Sequence, residues 1–206
     1  MKLRRTANAG ILLEMDGVSI LLDGVCGEVV PYLKTPDAIK SELCERLPDA
    51  VAFTHKHLDH YDESYAEYYK NMSFRSVFGP ESLYSGKMGE VDVTAVETRH
   101  IGKSDVDHCS FVLQGSKCVW FMGDASPNEL KKLRGFPAPD VLIVPYAYAI
   151  TEFAWKTTKD LEARTVVIVH LPDKANDPYC LWNEVGKFTE SEEYVYIPDM
   201  DETIVF

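Results

Sequence analysis

Short apolar runs alternate with stretches of helical period along this chain, and the runs are rich in β-branched residues. Residues 11–14 and 18–23 are two such runs joined by Met15, Asp16 and Gly17, which predicts a hairpin. A helical pattern over 31–47 passes through Leu33, Ile39, Leu43 and Leu47, and 49–54 then reads as a short buried strand. Residues 62–72 predict a polar and aromatic helix, followed by a short strand at 76–79. Three further strands are expected at 91–98, 109–114 and 117–122, the last two joined by Gly115 and Ser116. Helical segments at 128–133, 152–163 and 179–188 then alternate with strands at 141–145 and 165–169.

This interleaving, with two meander regions instead of one Rossmann-type series, predicts an α/β fold of two mixed sheets covered by helices. No internal repeat or Pro/Gly-rich linker divides the chain, and 206 residues suit one core, so a single domain over 1–206 is expected.

Composition narrows the function classes. The chain is 46% hydrophobic and 26% charged, as a packed globular protein is. Its formal net charge is −12, and its basic clusters are short (Lys2, Arg4, Arg5; Lys131, Lys132, Arg134), which argues against nucleic acid as a partner. The N-terminal basic residues imitate a secretory leader, but Glu14 and Asp16 interrupt the apolar segment it would need, and no membrane span is expected. Cys26, Cys44, Cys109, Cys118 and Cys180 are odd in number and scattered, which suits a reducing compartment and a cytoplasmic protein. Most read as core thiols, with Cys109 a candidate functional thiol beside a candidate ligand.

The chemistry concentrates at Thr54-His55-Lys56-His57-Leu58-Asp59-His60, where three of six histidines and an aspartate close a buried strand. Residues two apart point roughly 200° apart on a helix, whereas in an extended turn His55 and His57 can face one ion. Asp59 and His60, where the chain bends into the next helix, can face a second ion.

This HxHxDH segment resembles the signature of the metallo-β-lactamase superfamily, and later residues follow that family's order over essentially the whole chain. A histidine after a strand is matched by His100 in Thr98-Arg99-His100-Ile101-Gly102, a strand-end GD by Gly123-Asp124, and a histidine ending a late strand by His170. The resemblance implies a four-layer αβ/βα sandwich, the metallo-β-lactamase fold. It also implies His55, His57 and His100 on one metal, Asp59, His60 and His170 on another, and Asp124 bridging both. The mixture of imidazole and carboxylate suits zinc best, with Mn2+ and Fe2+ as alternatives. His108 competes with His100 as the middle histidine. The spacing of His100 to Asp124 resembles the family's, and it follows a strand directly; His108 otherwise sits beside the site. Asp23, closing a strand, resembles the family aspartate that supports the metal loop from behind.

The implied activity is hydrolysis of a small lactone, ester or phosphoester by a metal-activated hydroxide. Asp59 and His60 are the catalytic pair in this reading, with Asp59 both ligand and guide for the nucleophile. Tyr61, Tyr146, Tyr148, Phe153 and Trp155 are expected at the mouth of the site, and Arg99 and Lys103 as candidates for an anionic substrate group. The alternatives are a mononuclear-iron dioxygenase acting on thiols or sulfur and, ranked lower, an RNA-processing nuclease.

Overall fold

Strict alternation in residues 11–15 turns Ile11, Leu13 and Met15 to one side of a strand, all buried, and leaves Glu14 exposed. The same rule governs most strands of the computed structural model, which describes residues 1–103 and 105–206. Its first sheet contains β1 (Lys2–Arg5), β2 (Ile11–Met15), β3 (Val18–Leu22), β4 (Ala50–Ala52), β5 (Val77–Phe78) and, at its far edge beside β1, the last strand in the chain, β13 (Thr203–Val205). The second contains β6 (Ser85–Met88), β7 (Val91–Glu97), β8 (Cys109–Gln114), β9 (Cys118–Phe121), β10 (Val141–Pro145), β11 (Thr165–Val169) and β12 (Val195–Tyr196). Both are mixed. In the first, β1, β2, β3 and β13 pair antiparallel, while β3, β4 and β5 run parallel. In the second, β6 to β9 form an antiparallel meander and β9 to β12 a parallel series.

The sheets face each other across a core of Leu3, Ile11, Leu13, Ile20 and Leu22 on one side and Phe111, Phe121, Ile143, Val167 and Val169 on the other. Each fully buried side chain of this kind contributes roughly 1.5–3 kcal/mol. On the outer face of the first sheet, Leu21 and Val51 pack against α1 (Asp37–Glu45) and α2 (Glu63–Ser73) through Ile39, Leu43, Tyr65 and Tyr69. On the outer face of the second, Trp120, Leu142 and Ile168 meet α3 (Glu152–Lys159) and α4 (Leu181–Thr189) through Trp155, Leu181 and Val185. The layers are therefore helix, sheet, sheet, helix.

The expected helix over 31–47 shortens to α1. Pro36 takes the position before it with an extended ψ of 138°, a proline disfavours helix in the residue it follows, and 26–36 is a loop. The basic start of the chain is a strand: Leu3 and Arg5 turn inward and Lys2 and Arg4 outward, paired with both β2 and β13. Arg5 is buried, and its guanidinium donates to the carbonyls of Ala7 (3.2 Å), Asn8 (3.1 Å) and Pro198 (2.9 Å). It thereby fixes the 6–10 loop, whose Asn8 carbonyl in turn accepts from the His170 amide at 3.1 Å. No helix among the described residues is long and apolar enough to cross a membrane.

Candidate metal centre

The parallel strands deliver their C-terminal ends to one edge of the sandwich, and the polar cluster forms there. Asp23 follows β3, the segment from Thr54 to His60 follows β4, His100 follows β7, Asp124 follows β9 and His170 follows β11. The loops are stitched together by the backbone. Cys109 N–H donates to the Thr54 carbonyl across the two sheets at 3.0 Å, Ile101 N–H to Asp124 at 2.8 Å, and Ser126 N–H to Arg99 at 2.8 Å. Gly123 adopts φ +53°, and a Cβ there would lie 2.5 Å from the Thr54 side chain, so the turn that presents Asp124 needs glycine on both counts.

All seven residues expected at the site come together. His55, His57 and His100 form one trio of ligand-type atoms, His55, His60 and Asp124 a second, and Asp59, His60 and His170 a third, with all atoms in each trio within 4.8 Å of one another. One oxygen lies centrally: Asp124 Oδ2 is 3.4 Å from His60 Nε2, 3.5 Å from His170 Nε2 and 3.6 Å from His100 Nε2. Asp59 Oδ2 stands 3.2 Å from His170 Nε2.

Hydrogen bonding determines which nitrogens face inward. The Thr54 hydroxyl gives its one proton to Asp23 Oδ2 at 2.7 Å, so it accepts from His55 Nδ1 at 3.0 Å. His60 Nδ1 donates to the same Asp23 oxygen at 2.8 Å, and His100 Nδ1 to the Ile101 carbonyl at 2.6 Å. Each ring thus turns its Nε2 into the cluster. His60 Nε2, His100 Nε2, His170 Nε2 and Asp124 Oδ1 are shut off from solvent and without a hydrogen-bond partner among the described residues. Buried polar atoms are seldom left unpaired, and a cation among them satisfies all four, so these residues fit a metal ion and could hold one.

Electrostatics make the same demand. Burial works against charge on His60 and His170, yet Asp124, with Asp23 at the first and Asp59 at the second, outweighs it. His60 is held well above the ordinary imidazole range, and His170 is pushed up to about 9. Asp124 is held well below the usual carboxylate range: burial opposes its ionisation, but the His170 and His60 charges prevail. At His55 burial, joined by the charge of His60, outweighs the opposing charge of Asp124, so its pKa is pushed strongly down and the ring is neutral.

A family model described as the Beta-lactamase superfamily domain matches residues 3–174. The chain belongs to the metallo-β-lactamase superfamily. A UPF0173 protein of Pyrococcus abyssi is 29% identical over 165 residues, covering 70% of this chain and 70% of that protein. Among solved structures, a possible metal-dependent hydrolase from Veillonella parvula superposes with a TM-score of 0.73 at 18% identity, covering 100% of this chain and 99% of that one. An isothiocyanate hydrolase from Delia radicum gut bacteria gives 0.71 at 19% identity over 100% of this chain and 99% of that one. At such identities the two structures speak for the fold alone.

Within this superfamily member, the two competing middle histidines have different surroundings. Ser110 Oγ donates to the Met122 carbonyl at 3.0 Å, so it accepts from Thr98 Oγ1 at 3.0 Å, which in turn accepts from His108 Nδ1 at 2.8 Å. His108 Nε2 therefore carries the lone pair and spends it on the Asp124 N–H at 3.1 Å. Burial lowers the His108 pKa to about 3, consistent with a neutral ring that steadies the Asp124 backbone. The His100 Nε2 lone pair remains unspent.

Several expected neighbours lie elsewhere. Arg99 is exposed and lines a separate recess with Glu97, Asp107 and Lys132, because alternation turns it away from the side that His100 takes. Tyr148 and Trp155 are core residues beneath the second sheet, Phe153 is exposed, and Tyr61 packs on Phe53. Cys109 is buried, its thiol pKa pushed up by burial, and its Sγ faces the Phe53 carbonyl, so it is an inert core thiol. Asp59 lines the open cleft; His60 lies beneath it.

The cleft over the cluster has a volume of 410 Å³ and is lined by Asp59, Asp124, His57, His100, His170, Tyr146 and Lys103, with apolar walls from Val29, Leu58, Ile101, Pro145 and Ala147. Tyr32 completes it and was not foreseen, since it fell within the helix expected over 31–47 and lies instead in the loop before α1. A larger recess of 600 Å³ by Arg4 and Glu42 is remote from this chemistry.

Proposed function

We propose that this chain is a metal-dependent hydrolase of a small substrate that holds two divalent ions. His55, His57 and His100 hold one, Asp59, His60 and His170 the other, and Asp124 lies between them. The observation that carries this reading is the aim of unpaired Nε2 atoms of His60, His100 and His170 at a single Asp124 oxygen. Five imidazoles and two carboxylates, with no thiolate among them, favour zinc. Bound ions of this kind supply Lewis acidity and a water that ionises near pH 7.

The protein's own groups do the rest. Burial opposes ionisation of Asp59, but the bond and charge of His170 and the charge of His60 hold its pKa below the usual carboxylate range. It stays charged at the cleft floor, where it orients the attacking water. The cleft volume of 410 Å³ and the net charge of −12 favour small lactones, esters or phosphoesters over polyanions. Five unpaired cysteines support a cytoplasmic location.

Protein purified without chelator is expected to carry two equivalents of zinc, to lose hydrolysis on chelation and to regain it with zinc. His57→Ala and Asp59→Asn should each lower kcat on the order of 10²–10³-fold while circular dichroism stays unchanged. Iron in the purified protein, with oxygen uptake driven by a thiol, would replace this reading with the dioxygenase one.

The two middle histidines separate in a further measurement. His100→Ala should lose zinc stoichiometry. His108→Ala should keep it and instead cost roughly 1–3 kcal/mol in stability by orphaning the Asp124 N–H. The opposite pattern in metal analysis and denaturant melts would exchange their roles.

A further inference from the structure

Two phenols share the His170 side of the cleft. Tyr32 comes from the loop between β3 and α1, and Tyr146 directly follows β10; their hydroxyl oxygens are 3.1 Å apart. The Tyr32 ring stands edge-on to His170 at 4.5 Å between centroids, and the Tyr146 ring lies 5.9 Å from the same imidazole. Each phenol has one proton. Their mutual bond consumes one of the two, and among the described residues neither hydroxyl has another hydrogen-bond partner. One O–H is left for a ligand.

The remaining walls say what the donor meets. They are mostly apolar, Lys103 is the one lysine or arginine among the described residues that line the cleft, and Arg99 faces another recess. A phosphoester carries several anionic oxygens, and outside the metal ligands the described lining offers them one lysine and no guanidinium fork. A neutral acyl group brings one carbonyl oxygen, matched to one spare proton.

We propose that Tyr32 and Tyr146 form a substrate subsite that donates this spare hydroxyl proton to the carbonyl oxygen of a compact ester or lactone, whose short apolar substituent lies on the Leu58 and Ile101 walls. The subsite rests on the hydrolase reading above and selects acyl substrates over phosphoesters. In the reaction the oxygen of water bonds to the acyl carbon while the carbonyl electron pair moves onto its oxygen, where the phenol proton meets the growing charge. The bond from that carbon to the alkoxy oxygen then breaks. One proton of water ends on the alcohol, and the other is released with the carboxylate product.

The shared proton gives the pair a distinctive signature. Either tyrosine alone still holds one O–H, now freed from its partner, so a single loss is mild and a double loss severe. Zinc-loaded Tyr32→Phe and Tyr146→Phe should each stay within about fivefold of the parent in kcat/KM on p-nitrophenyl acetate, the worth of one net hydrogen bond. The double variant should fall on the order of 10²-fold, mainly in kcat. Zinc content should match the parent's, and hydrolysis of p-nitrophenyl phosphate should fall far less than that of the acetate. Butyramide, a neutral carbonyl probe followed by ligand NMR, should bind about tenfold more weakly to the double variant, which tests the subsite without turnover. Equal loss on both esters, loss of zinc, or undiminished butyramide binding in the double variant would overturn the proposal. Failure of the hydrolase reading itself would appear in the unmodified protein, as absent zinc and absent turnover.

Discussion

Asp124→Ala is expected to lower hydrolysis on the order of 10³-fold, the upper end for removing one preorganised charge from an active site, and to leave a folded protein. The carboxylate faces three imidazole Nε2 atoms, at 3.4, 3.5 and 3.6 Å, so both proposed ions lose their shared ligand at once. The zinc-free variant carries a second sign. Burial is the largest influence on His60 and His170, and Asp124 is the leading group that opposes it, so without Asp124 both imidazole pKa values should fall. For His170 the fall starts from about 9. A raised folded-state pKa contributes stability that is present below the ordinary 6.5 and is lost as pH rises through about 9. The zinc-free parent should therefore be more stable than the variant near pH 6, and that advantage should shrink as pH rises through the same window. Imidazole NMR titrations and melts across that range check both statements. Full turnover with unchanged zinc content would remove Asp124 from the centre.

The sequence was most legible where local pattern and tertiary need coincide. β10 and β11 are buried on both faces and read as apolar runs, with Thr165 at the start of β11 the one polar residue, and each residue of the HxHxDH segment sits at a strand end because a rigid sheet edge is there to present it. β1 was hidden because Lys2, Arg4 and Arg5 look like a basic leader; its inward side chains are Leu3 and Arg5, and Arg5 is solvated by carbonyls from the 6–10 loop and from Pro198 near the chain's end. β13 was hidden because three residues carry too little period to register. Arg99 was drawn to the site by its nearness to His100 in sequence, when alternation puts neighbours on opposite sides. Tyr148 and Trp155 follow a strand end as ligands do, but helical packing turns them under the sheet. Tyr32 is the reverse case: it was read as part of the helix over 31–47, and its site partners are distant in sequence, His170 under its ring and Tyr146, 114 positions away, at its hydroxyl.

Asp23 is where fold and chemistry are most tightly coupled, and two substitutions there should separate them. The buried carboxylate accepts from Thr54 N–H at 2.7 Å through Oδ1, and from Thr54 Oγ1 at 2.7 Å and His60 Nδ1 at 2.8 Å through Oδ2. Asp23→Ala orphans all three donors and should cost roughly 3–5 kcal/mol, on the order of 10 °C in Tm for a chain of this size. Asp23→Asn keeps the shape but has one acceptor oxygen. The Thr54 backbone N–H cannot change its role, so the amide oxygen must stay with it, and the new NH2 group faces the Thr54 hydroxyl and His60 Nδ1. Both must then become acceptors. His60 moves its proton to Nε2, and the turned Thr54 hydroxyl donates to His55 Nδ1, which moves the His55 proton to Nε2 as well. Two lone pairs aimed into the cluster become N–H groups. The asparagine variant should thus lose less stability than the alanine variant, yet bind zinc about 10- to 100-fold more weakly. Thermal melts paired with chelator competition read the two effects separately. An asparagine variant with the parent's zinc affinity would show that Asp23 does not set these tautomers.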